Sequence, residues 1–77
     1  MTGNQQKLIE FVTADVVSFI VDDKNVSVAE AMDIVYNSTF FGKLNDVETG
    51  MYRESAGYNY ELLKDELANG KFVQLEE

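Results

Sequence analysis

The chain contains no cysteine, histidine, proline or tryptophan among its 77 residues, and most of these absences close something off. Without cysteine there is no disulfide, no thiolate nucleophile and no sulfur ligand for a metal. Without histidine no side chain titrates near neutrality at its ordinary value. The usual pairing of nucleophile and base is therefore missing, and the serines and threonines that remain have no evident group to take their proton. The lack of proline removes the strongest helix breaker, so boundaries must be read from glycine, asparagine and capping residues. Basic residues are scarce: six Lys and Arg against fourteen Asp and Glu give a net charge of -8. The acidity is spread as -2, -3 and -3 over residues 1–26, 27–60 and 61–77. Six scattered cations do not make the clustered footprint that releases counterions from a phosphate backbone, so neither nucleic acid nor an anionic membrane is expected as a partner. A long apolar run is lacking too, because Asp15, Ser18, Asp22 and Asp23 interrupt the stretch from Leu8 to Val21. A span of roughly 20 apolar residues is not available there. Residues Met1 to Lys7 show no basic flank leading into an apolar run and a small-residue cleavage site, which points to a cytoplasmic location. The glycosylation-like triplets at Asn25 and Asn37 carry no weight without a secretory route.

What is present reads as a folded domain. Apolar residues make up 45% of the chain and charged residues 26%, ordinary globular values. The length allows one core, hence a single helical domain over residues 1–77. A chain of this size buries only about 60% of the surface that its unfolded form exposes, so a partner or a second copy would add appreciably to its stability.

Periodicity predicts three main helices. Leu8, Ile9, Val12, Val16, Phe19 and Ile20 share one face of a helix over residues 5–23. Ala14, Val17 and Val21 form a narrower apolar strip on its other side, so this helix is expected to meet neighbours on two faces or to contribute to an oligomer interface. After the polar break at Asp23-Lys24-Asn25, Ser27 and Glu30 have the capping-box spacing, and Val28, Ala31, Met32, Val35 and Tyr36 form the inner face of a second helix. Thr39 to Leu44 suits a short extra helical turn, and Asn45 to Gly50 a surface loop. Tyr52-Arg53-Glu54 is expected to be extended. Ser55 then caps a third helix running to Asn69, with Ala56, Tyr60, Leu63 and Leu67 inward and Gly70 as its stop. Phe72 to Leu75 is left as an irregular tail or a short strand. The fold class expected is an all-α bundle of three main helices with one extra turn.

Chemistry is hard to place on this frame. Asp22/Asp23 and Asp65/Glu66 are adjacent on helices and diverge, which suits solvated surface better than a shared site. Asp46 and Glu48 near Gly50 invite a calcium loop. Setting Gly50 sixth in a twelve-residue loop, however, puts Val47 third, Thr49 fifth and Ala56 twelfth, which supply no carboxylates. No catalytic residue, metal ligand or cofactor site is assigned. Tyr36, Phe40, Phe41, Tyr52, Tyr58 and Tyr60 form a dense aromatic stretch, mostly suited to the core. Tyr58 and Leu62 lie four apart and off the inner stripe, which makes them either an exposed apolar patch or a seat for Phe72 and Val73. The possible interaction surface is thus Ala14, Val17 and Val21, with Tyr58 and Leu62.

The run from Tyr36 to Leu63 resembles a family of very short bacterial proteins of unknown function. The likeness is carried by Leu44, Asp46, Thr49-Gly50, Tyr52, Ser55 and Tyr58-Asn59-Tyr60-Glu61-Leu62. With the preceding helices it covers most of the chain. It implies a compact helical domain encoded beside other small proteins, in cassettes reminiscent of toxin and antitoxin pairs, and it carries over no catalytic residue. Ala56-Gly57 departs from the proline expected at the first helical position of relatives. The function expected is a non-catalytic protein-interaction module, possible as an acidic regulatory or antitoxin-like partner of another small protein or as a homo-oligomer. The alternatives are a helix-turn-helix-like DNA-associated regulator and a small-ligand binder built on the aromatic cluster.

Overall fold

The computed structural model describes residues 3–70, with side chains described for residues 5–70. Among these the chain is all-α: α1 is Gly3–Lys24, α2 Val28–Tyr36, α3 Thr39–Asn45 and α4 Ala56–Asn69. Two single 3-10 turns, Val47–Thr49 and Met51–Arg53, join α3 to α4. The three main helices and the short extra one are those the sequence predicts, while the Phe72 to Leu75 segment lies outside the described residues. No helix among the described residues is long and apolar enough to cross a membrane.

Each boundary has a local cause. α1 stops where Asn25 turns left-handed at φ 59° and donates its amide to the Val21 carbonyl at 3.0 Å. Asparagine tolerates that conformation better than most side chains. At the start of α2 the Ser27 Oγ accepts from the Glu30 amide at 3.1 Å, and Glu30 Oε1 accepts from the Ser27 amide at 3.2 Å. Ser38 Oγ accepts from the Phe41 amide, and Ser55 Oγ from the Tyr58 amide, each at 3.1 Å. Such caps satisfy amides that the first helical turn leaves without partners. Gly50 takes φ 71° between the two 3-10 turns, a conformation that costs a residue with a Cβ.

The core lies where α1 crosses α2 and α4. Val16, Ile20, Ala31, Val35, Phe40, Leu44 and Leu63 are fully buried, with Met51 beside them. Met51 and Tyr52 reach the core from a 3-10 turn, so of the extended segment expected at Tyr52-Arg53-Glu54 only Glu54 is extended, at φ -82° and ψ 163°. The turn is held by the Arg53 amide on the Gly50 carbonyl and the Glu54 amide on the Met51 carbonyl, both at 3.0 Å. The buried Asn59 of α4 reinforces it by donating Nδ2 to the carbonyls of Met51 and Ser55, also at 3.0 Å.

Two helices present inner faces rotated from those expected. On α1, Thr13 and Val17 are buried whereas Leu8 and Phe19 stay partly open. Thr13 is accommodated because its hydroxyl donates to the Ile9 carbonyl at 2.8 Å. On α4, Asn59 and Leu62 turn inward and Leu67 outward. That rotation brings two polar side chains, Asn59 and Glu66, onto backbone groups of neighbouring elements.

Candidate functional site

On α2 only Ala31 and Val35 are buried, although five residues suit an inner face. The other three, Val28, Met32 and Tyr36, stand four apart in sequence and are 57%, 36% and 49% exposed. They form one wall of a groove. The facing wall is the α1 strip of Ala14, Val17 and Val21, with Ile9 and Thr13 at the floor and Phe41 and Asn45 of α3 closing one end. The groove is a trough of about 540 Å³ open to solvent. Its end is stiffened by the Tyr36 and Phe41 rings, whose centroids lie 4.9 Å apart at an interplanar angle of 52°. Such tilted ring pairs are favourable beyond the area they bury. Glu10 is the one charged side chain among the described residues of the lining.

The residues anticipated as an interaction surface separate into two groups. Ala14, Val17 and Val21 come together on the groove, Ala14 exposed, Val21 half-buried and Val17 packed into the core below. Tyr58 is exposed on α4, but Leu62 is 6% exposed and belongs to the core, so the two make no common patch. The reason is the rotation of α4: once Asn59 faces the Met51–Arg53 turn, Leu62 is carried inward with it. The wall residues Val28, Met32 and Tyr36 were legible as apolar from their spacing. Nothing in the spacing says that no element among the described residues covers them.

The dense aromatic stretch does not line one pocket. Phe40 is in the core and Tyr36 and Phe41 mark the groove end. Tyr60 is not part of the groove lining, and its ring lies 5.4 Å from that of Phe19. There the Tyr60 hydroxyl donates to Asp23 Oδ2 at 2.7 Å, and Lys64 Nζ stands 5.3 Å from the ring centroid. Burial, followed by the hydrogen bond to Asp23, pushes this phenol from 10.0 up to about 12. A phenol so held is a poor proton donor to anything else. Tyr52 is the opposite case: its oxygen accepts from Arg53 Nε at 3.3 Å and from Gln5 Nε2 at 3.2 Å. The Arg53 contact first, and then Gln5, draw its phenol below the ordinary value. Both tyrosines are tied to structural neighbours, and neither faces the groove.

Among the described residues no three acidic side chains converge to hold a metal ion. The groove therefore offers shape and apolar surface, with a sparse polar rim. No family model, curated protein or solved structure matches the chain, so its own residues carry what can be said of its role.

Proposed function

We propose that the chain is a non-catalytic protein-interaction module, whose groove between α1 and α2 receives an apolar segment of another protein. The observation that carries this is the stripe of Val28, Met32 and Tyr36, open to solvent while facing the apolar strip of Ala14, Val17 and Val21. Contiguous exposed apolar surface is uncommon on small soluble domains and marks contact sites when it is rimmed by polar groups. An acidic regulatory or antitoxin-like partner of another small protein is the form of this reading in keeping with the net charge of -8. Duplex DNA fits poorly, because α2 carries no Lys or Arg and α4 only Lys64.

A displayed peptide library selected on the immobilised chain tests the proposal. Enriched peptides should bind the wild type and lose binding to the Val28→Ser/Met32→Ser double variant. Both residues lie outside the buried core, so the variant should keep its fold. Enrichment of only those peptides that bind both proteins equally would refute the groove as the contact site.

A further inference from the structure

Resting on that reading, we infer that the occupant of the groove is a single cationic amphipathic helix of about four turns from a different protein, not a second copy of this chain. Length comes first. The lining on α1 runs from Gln6 to Val21, which at 1.5 Å per residue is a trough of roughly 22 Å, the length of a helix of about 15 residues. Both walls are helices, α2 from Val28 to Tyr36 flanking about 12 Å of that length and Phe41 and Asn45 of α3 closing its end, and each presents its apolar residues three or four apart. An apolar stripe of the same period on a third helix interdigitates with such walls.

The backbone of the occupant makes the same choice. A segment lying against Val17, Val21, Val28 and Met32 finds apolar side chains instead of peptide groups, and no strand edge exists among the described residues to pair with it. The amides and carbonyls it turns toward the groove must then be satisfied internally, which a helix does and an extended peptide does not.

Charge separates a foreign helix from a second copy. Among the described residues the one charged group lining the groove is Glu10, and the whole chain carries -8. Two copies docking through this face bring like charges together, whereas a helix with Lys or Arg on its polar face is attracted from a distance and retained at the rim.

The test uses the full chain and two designed peptides of ~18 residues, a length that fills the trough. Both carry Leu in the i, i+3, i+4, i+7 pattern, one with Lys and the other with Glu on its polar face. Fluorescence anisotropy at low ionic strength should show the Lys peptide binding at least ~10-fold more tightly than the Glu peptide, the gap narrowing with salt. The charge-neutral Val28→Ser/Met32→Ser variant should weaken the Lys peptide ~10-fold, by loss of apolar contact. Leu67→Ser, an exposed apolar residue remote from the groove, should leave it unchanged. Equal binding of the two peptides, with the groove variant still weakening both, overturns the cationic helix and spares the interaction module. Sedimentation equilibrium showing a dimer that the groove variant dissolves overturns the foreign partner in favour of a second copy. Binding of the Lys peptide that ignores the groove variant removes the groove itself, and both readings with it.

Discussion

The carboxylate of Glu66 on α4 closes over the amino end of α3, where Oε1 accepts from the Phe40 amide at 2.8 Å and Oε2 from the Thr39 amide at 2.9 Å. With Ser38 Oγ on the Phe41 amide, all three first-turn donors of that short helix are satisfied, two of them from 26 and 27 residues away in sequence. A seven-residue helix is too short to persist by propensity, so this cap and the burial of Phe40 and Leu44 are what keep it. Glu66→Ala should cost about 1–2 kcal/mol, and Glu66→Gln about half as much, because one oxygen is kept. Urea unfolding gives the measurement: the midpoint should fall for Glu66→Ala with an unchanged slope, while Asp65→Ala on the exposed side moves it little. Equal effects at the two positions would show that the α3 contact contributes nothing.

Alkaline stability should follow Tyr60. Its phenol is raised from 10.0 to about 12 in the folded chain, so the folded state favours the neutral form. The contribution is complete below pH 10 and is lost as the pH climbs toward 12, where the unfolded chain gives up that proton first. Tyr60→Phe keeps the ring against Phe19 and should flatten the decline of melting temperature across this window. Asp23→Asn should lower the phenol toward its ordinary value without restoring it fully, since burial, the larger cause, remains. An absorbance titration of the tyrosinate band reads both effects, and a Tyr60 that ionises together with the other tyrosines would contradict them.

Asn59 is a buried donor serving carbonyls, Nδ2 reaching those of Met51 and Ser55 at 3.0 Å. Asn59→Ala should cost roughly 2–3 kcal/mol, combining the lost hydrogen bonds with a small cavity. Asn59→Asp should be worse at neutral pH, because it aims a carboxylate at carbonyl oxygens. Burial raises the pKa of such an Asp when folded, so its deficit should shrink as the pH falls and the acid form regains a donor. Chemical denaturation at neutral and at acid pH checks the sign. An Asp variant that grows weaker on acidification, relative to wild type, would contradict the assigned geometry.

Two glycines should respond in opposite directions to alanine. Gly42 lies inside α3 with nothing within 4 Å of where a Cβ would sit, so Gly42→Ala should stabilise by about 0.5–1 kcal/mol. Gly50 also has open space but holds φ 71°, and Gly50→Ala should destabilise by about 1–2 kcal/mol. Thermal melts of the two variants suffice, and a shift in the same direction for both would be inconsistent with the backbone at residue 50.

Sequence alone determined where α2 and α4 begin and where α1 and α4 end, because those signals are local: Ser27 with Glu30, Ser55, Asn25 and Gly70. It also determined that α1 is apolar on two sides, including Ala14, Val17 and Val21, and, with no histidine, that no side chain titrates near neutrality at its ordinary value. Tertiary structure decided which direction each helix turns inward. Helical period assigns every residue an angle around its own axis, but the angle that meets a neighbour depends on crossing geometry and on the short connections. Here the polar Glu66 and Asn59 helped set it, Glu66 by reaching amides 26 and 27 residues away and Asn59 by reaching the Met51 carbonyl in the preceding turn. Their inward turn buried Leu62 and released Leu67. Packing around α1 likewise left Val28, Met32 and Tyr36 exposed beside an apolar strip, with no element among the described residues over them. Whether an apolar stripe is core or contact surface depends on the presence of a covering element, which is a property of the assembled chain and not of any one helix.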